Sequence, residues 1–370
     1  MRTKLPGKPS VHRKRPSIAI VVEAIPPHCG GAEQVAWIQA THLARSCRVS
    51  VITLGDRQSQ SEVEGVTVYT LPKRTRNLLA YLTYERATLN RCIEEINPNV
   101  IHCHMPNELA LCLNPGSNLL VMTIHDGVPE NEQLAMRTKS LLGWLRFKLI
   151  RRANIRKSDL VTCVSQHNRE TMQQLYPEHA GKMSTIPNPI YDRFFAPPSG
   201  TDEGYVLNFG RQIPIKIGPL LEAAGSMPDI RFVFVGTGSL AKNHGMAHVN
   251  FVGFSASVEK YIDGASICVF PSLSENFPLV GLEAMARGKP VIATKRGFSE
   301  YIVHGENGML LDSTDPAEIC RAIRTLLADE SLRARISRNA RETAEMYRAD
   351  RIVEQYVDLY RNALPDQFGP

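Results

Sequence analysis

Short apolar runs alternate with longer stretches of helical spacing along almost the whole chain, and few folds accommodate that order. Runs at 18–22, 49–54, 66–70, 100–102, 119–124 and 160–164 have the length of strands, and 32–45, 77–96 and 134–152 between them repeat apolar residues at helical intervals. The same rhythm returns at 205–209, 231–235, 267–270 and 291–293, with helical spacing at 216–226, 279–287 and 315–346. A helix between consecutive strands carries the chain back to the edge where it began, so the strands run parallel and helices cover both faces. The rhythm breaks once, between Ile-Pro-Asn-Pro-Ile at 186–190 and the Pro- and Gly-dense stretch 197–204. The fold class is therefore α/β, with two doubly wound parallel-sheet domains at 18–190 and 191–350 and a last helix, 351–362, returning to brace the first. Such a pair places a ligand cleft between the carboxyl ends of both sheets. At 370 residues, each domain has enough chain to bury its own core.

No apolar run approaches the roughly 20 residues a membrane-spanning helix needs. The first run is ended by Glu23 before it reaches the length of a signal-peptide core, so a cytoplasmic location is expected. The net charge of +6 originates in residues 1–17, where Arg2, Lys4, Lys8, Arg13, Lys14 and Arg15 meet no acid; the remaining 37 cations match 37 acids. A charge-balanced body implies no nucleic-acid partner. The basic tail, with Pro6, Pro9 and Pro16, reads as disordered. It is either simply solvated or a peripheral contact with anionic membrane at the inner face, worth about 1 kcal/mol per well-placed cation. Segment 137–157 holds eight Lys and Arg and no acid around Leu141, Leu145 and Leu149. It reads as a membrane-surface helix or as a helix packed on the first domain with its cations outward. The eight cysteines show no metal or redox spacing, and Cys163 and Cys268 lie inside apolar runs, as reduced structural thiols do.

The densest chemistry lies at 270–293. A strand ends near Phe270, a loop carries Glu275 and Asn276, and Pro278 is suited to open a helix bearing Leu279, Val280 and Glu283. Such a helix N-terminus offers unpaired N–H groups and a partial positive charge, a natural seat for a diphosphate. Carboxylates beside it can each accept paired hydroxyl hydrogen bonds. Just past another strand end, after Gly210, Arg211 and Lys216 supply two fixed cations able to neutralise phosphates as a bond to them breaks. Gly30 and Gly31, between first strand and first helix, let backbone N–H groups approach an anion.

With their surroundings, Glu275 and Glu283 closely resemble the paired glutamates, with seven residues between them, of the retaining glycosyltransferase family 4. Other pieces resemble the family in order: Gly30-Gly31, Thr123-Ile-His125-Asp126, 158–165, 186–189, Arg211 with Lys216, 232–239 around Gly236, 251–254 ending at Phe254, and Gly297-Phe-Ser-Glu300. The resemblance spans about 18–345 and implies a GT-B fold of two Rossmann-like domains, the second holding the donor and the first the acceptor. It further implies transfer of a hexose, with retention, from a UDP- or GDP-sugar to a glycan or lipid-linked acceptor in cell-envelope or exported polysaccharide synthesis. Glu275, His125, Arg211 and Lys216 then form the catalytic set. Gly30, Gly31, Gly210, Arg211, Lys216, Gly236, Phe254, Asn276, Leu279, Val280 and Glu283 then bind the donor, with no cofactor. The absence of an Asp-x-Asp pair fits a site without a metal. One departure is Ile217, where the family usually has glycine directly after the lysine. A nucleotide-sugar epimerase of the same fold, or a non-catalytic nucleotide-sugar or glycan-binding relative, are the competing readings. His102-Cys-His104 puts two imidazoles on one strand face, too few for a zinc site, and is assigned to the core or the cleft wall.

Overall fold

The computed structural model describes residues 15–27, 30–72, 86–105, 107–125, 141–242 and 245–368. Tail residues 1–14, the first part of the helical stretch at 77–96, positions 134–140 and Asp126 lie outside them.

Strands β1 (Ser17–Val21), β2 (Arg48–Gly55), β3 (Ser59–Val63), β4 (Val66–Pro72), β5 (Val100–His104), β6 (Leu119–Ile124), β7 (Leu160–Cys163) and β8 (Met183–Thr185) form one sheet in the order β3-β4-β2-β1-β5-β6-β7-β8. Every pairing is parallel except β3 with β4, a hairpin turned by Glu64 and Gly65, both at positive φ. That antiparallel edge departs from the all-parallel expectation. Ser-Gln-Ser-Glu-Val is exposed at all five positions, so it carries no burial signal, and its polar faces suit a sheet edge. Strands β9 (Tyr205–Phe209), β10 (Phe232–Val235), β11 (Val249–Gly253), β12 (Ala265–Phe270), β13 (Val291–Thr294) and β14 (Met309–Leu311) form a second sheet, order β11-β10-β9-β12-β13-β14, parallel throughout.

Helices α1 (Gly31–Leu43), α2 (Arg86–Ile96), α3 (Glu108–Cys112), α4 (Leu141–Lys157) and α5 (Gln166–Leu175) accompany the first sheet. Helices α6 (Pro214–Gly225), α7 (Glu259–Gly264), α8 (Leu279–Ala286), α9 (Pro316–Ala328) and α10 (Glu330–Glu345) accompany the second. The continuous pattern at 315–346 is thus two helices. Asp329 ends α9 in an extended conformation, and its carboxylate caps α10 by accepting from Leu332 N.

Each sheet has apolar cores on both faces, which is why its strands read as unbroken apolar runs. Helix α11 (Ala349–Ala363) returns to the first sheet. Its Ile352, Val353, Tyr356 and Tyr360 share a core with Ile18, Ile20, Trp37 and Ile186. The two chain crossings lie side by side, Ile190 N donating to Tyr347 O at 3.1 Å. Beyond the first crossing, Arg287 on the turn after α8 holds the chain to the second domain. It donates to the carbonyls of Ala196 (2.7 Å) and Pro197 (3.3 Å) and pairs with the buried Asp263, which also accepts from Ser199 N at 2.8 Å. Among the described residues no helix is long and apolar enough to cross a membrane.

Candidate functional site

Most of the residues singled out from the sequence meet at the carboxyl ends of the two sheets. Helix α8 starts after Pro278, whose extended backbone provides no side-chain cap, so its first-turn N–H groups stay open. Helix α1 starts after Gly30, again without a side-chain cap. The two N-termini face each other: a Cβ built on Gly31 would stand 3.9 Å from Cδ1 of Leu279. Two uncapped helix ends of like partial charge attract a shared anion.

The walls are built from strand-end loops. A Cβ on Gly210 would lie 3.5 Å from Val280. Gly236, at φ +136°, tolerates no side chain, since its Cβ would fall 1.9 Å from the Gly210 carbonyl oxygen. Its N–H donates to Gly253 O at 2.7 Å, which brings the 60% exposed ring of Phe254 to the same rim. Gln212 locks this region from below, its amide donating to Asn208 Oδ1, Gly210 O and Val235 O. From the first domain comes His125, whose carbonyl accepts from Asn276 Nδ2 at 2.7 Å. Asn188 donates to Phe277 O at 3.2 Å, and the Glu300 carboxylate accepts from Gln166 N and His167 N, at 3.0 and 2.9 Å, at the start of α5. These bonds hold the two domains across the cleft.

The charged groups divide into a bound set and a free set. Lys216, in the first turn of α6, is ion-paired with Glu275 and donates to Ser274 O at 3.2 Å. Cation and carboxylate, assigned separate partners from the sequence, thus hold each other. Ile217, in place of the family's glycine, is fully buried in the second domain's core, and Gly218 faces open space. Arg211 is exposed.

Glu283, one turn into α8, is 7% exposed, and its carboxylate has no hydrogen-bond donor among the described residues. Burial pushes its pKa up to about 7, against the pull of Arg193 and with a push from Glu259. Burial lowers the pKa of His125 to about 3, so its imidazole is neutral at physiological pH.

His102 and His104 enter a buried network. His102 Nδ1 meets Tyr360 OH at 2.6 Å and its Nε2 meets Thr123 Oγ1 at 2.6 Å; His104 joins Gln39 Oε1 at 2.7 Å and His125 Nε2 at 3.0 Å. Gln39 and Tyr360 carry no signal in the sequence, because their partners lie 63 and 258 residues away from them along the chain.

The family model for glycosyl transferases group 1 matches residues 194–343, and that for glycosyltransferase family 4 matches residues 29–193. An uncharacterised glycosyltransferase of Methanocaldococcus jannaschii is 26% identical over 82% of this chain and 87% of its own length. An exopolysaccharide phosphotransferase of Streptomyces coelicolor is 26% identical over 92% of this chain. The chain spans 40% of that protein's length, and likewise 40% of EpsD from Bacillus subtilis, to which it is 34% identical over 154 residues. Among solved structures, Anabaena HepE in complex with UDP and glucose superposes with a TM-score of 0.76 at 21% identity, covering 93% of this chain and 98% of that one. The fold is GT-B, and with both halves matched by family models the chain belongs to glycosyltransferase family 4.

Proposed function

We propose that the protein is a retaining, metal-independent transferase that moves a hexose from a UDP- or GDP-sugar to a glycan or lipid-linked acceptor in cell-envelope or exported polysaccharide synthesis. The observation that carries this reading is Glu283, a carboxylate only 7% exposed and without a hydrogen-bond donor among the described residues, one turn behind two facing, uncapped helix ends. A nucleoside diphosphate supplies what each lacks: phosphates for the helix ends and ribose hydroxyls for the carboxylate. The exposed Phe254 and the Gly236 loop border the space for the base.

In this scheme Arg211 and Lys216 take up the charge released on the diphosphate. The incoming donor competes with Glu275 for Lys216, freeing that carboxylate for sugar hydroxyls. The bond from the anomeric carbon to phosphate breaks as the acceptor oxygen bonds the same face, and the acceptor's proton passes to the leaving phosphate oxygen. The neutral His125 and the helix end at Gly31 close the sugar side from the first domain. Arg211→Ala is expected to lower kcat by about 10²-fold or more through lost charge stabilisation. Proton NMR of the product should show the donor's anomeric configuration kept. Unchanged kcat, an inverted product, or conversion of the donor to an epimer without acceptor would each reject the scheme.

Helix α4 also supports peripheral membrane contact. Leu149 and Leu145 are 67% and 44% exposed beside Lys148, Arg152 and Arg156. Leu149→Glu should reduce co-sedimentation with anionic vesicles; equal sedimentation of both proteins would remove α4 as the contact.

A further inference from the structure

The buried network behind His125 has a direction. Gln39, on α1, presents its Oε1 to His104 Nε2 at 2.7 Å and its amide nitrogen to Tyr360 OH at 2.9 Å. An amide oxygen only accepts, so His104 must carry its proton on Nε2. A neutral His104 then offers Nδ1 as an acceptor, and the contact of 3.0 Å to His125 Nε2 requires His125 to be the donor. The far side agrees: Gln39 nitrogen and Tyr360 hydroxyl both point at His102 Nδ1, at 3.1 and 2.6 Å, leaving His102 to donate from Nε2 to Thr123. Thr123 continues to Thr162 at 2.7 Å. Gln39, His102, Thr123 and Thr162 have no exposed surface, and burial keeps all three imidazoles neutral, so one proton pattern runs through the chain of bonds.

We propose that His104 is a positioning residue which, oriented by Gln39 and through it by Tyr360 of α11, holds His125 in the tautomer protonated on Nε2. The Nδ1 lone pair of His125 is thereby kept as an acceptor. The consequence for turnover rests on the reading that His125 borders the donor sugar, where this lone pair can accept a sugar hydroxyl. Helix α11, distant in sequence, then helps to set the chemistry of the first domain's half of the site. Reversing the Gln39 amide would invert every donor and acceptor along the chain, so the tautomer of His125 reports the orientation directly.

The test is nitrogen NMR of the full-length protein labelled in histidine, with His125 assigned by comparison with His125→Asn. In the wild type, His125 Nε2 should resonate as a protonated nitrogen and Nδ1 as an unprotonated one. Gln39→Met removes the acceptor at nearly constant volume. It should let His104 donate to His125 and move the His125 proton to Nδ1, with kcat down about tenfold and donor KM little changed. Protonation of His125 on Nδ1 in the wild type, or the same tautomer in wild type and Gln39→Met, would overturn the proposal, and the wild-type spectrum decides the first point even if the variant misfolds. A tautomer switch with unchanged kcat would support the relay and instead reject the placement of His125 at the sugar.

Discussion

Glu283→Gln is expected to stabilise the free protein at pH 8 while weakening its hold on nucleotide. The folded pKa of Glu283 stands near 7 against an ordinary 4.5, because burial penalises the charged form. With the folded value raised, the protonated group is the one the fold accommodates. The folded protein is at no disadvantage below pH 4.5, loses stability progressively as pH rises towards 7, and carries the full penalty above it. The shift corresponds to roughly 3 kcal/mol, less whatever the buried amide costs if it too finds no partner. Thermal unfolding of variant and wild type should therefore converge near pH 4 and separate by several degrees at pH 8. Nucleotide affinity should move the other way. A carboxylate accepting two ribose hydroxyls becomes a mixed donor and acceptor as the amide, and Kd should rise about tenfold to a hundredfold. A variant less stable than the wild type at pH 8, with unaltered nucleotide affinity, would mean that Glu283 is an ordinary structural carboxylate.

Arg287→Met should cost about 3–5 kcal/mol, the largest single loss expected outside the apolar core. The guanidinium is buried with Asp263, both within 2% of full burial as side chains, and Nε reaches Asp263 Oδ1 at 2.7 Å. Burial alone pushes the Asp263 pKa up, but the bonds from Arg287 and Ser199 outweigh it and leave the carboxyl below its ordinary value. Removing Arg287 strands that carboxylate and releases the carbonyls of Ala196 and Pro197. Since the folded pKa of Asp263 is depressed, its contribution is present above an ordinary pKa of 3.8 and is lost as pH falls through the folded value. The difference between variant and wild type in urea unfolding should shrink accordingly in strong acid. Asp263→Leu combined with Arg287→Met should recover part of the loss, because no charge is then left unpaired. A single variant within 1 kcal/mol of wild type would contradict the buried pair's role.

The fold was legible wherever burial on two faces wrote an uninterrupted apolar run. The apolar runs Leu119–Ile124 and Tyr205–Phe209 mark β6 and β9 to the residue. Strand β3 was not legible, because an exposed edge needs no apolar side chain; β8 and β14, three residues each, are shorter than any pattern can declare. The α4 stretch continues to Lys157 because Ile150, Ile155 and the buried Arg151 and Asn154 extend its inner face beyond the leucines that mark it in sequence. At the site, Gly31 stands close to Leu279, Gly210 to Val280 and Gly236 to Gly210, and Asn276 bonds to the His125 carbonyl. The pairing of side chains was not legible. Nothing local to Lys216 announces Glu275, 59 residues on, and nothing in His102-Cys-His104 announces Gln39 or Tyr360. Such partners are fixed only when the sheet order brings remote segments together.

The most direct measurement is calorimetric titration of the wild type and Glu283→Ala with UDP, GDP and ADP in the presence of EDTA. Binding of UDP or GDP by the wild type, lost or strongly weakened in Glu283→Ala, is the expected result and would establish a metal-independent diphosphate site at the α8 helix end. No binding of any nucleotide by the wild type, or equal binding by both proteins, would contradict it.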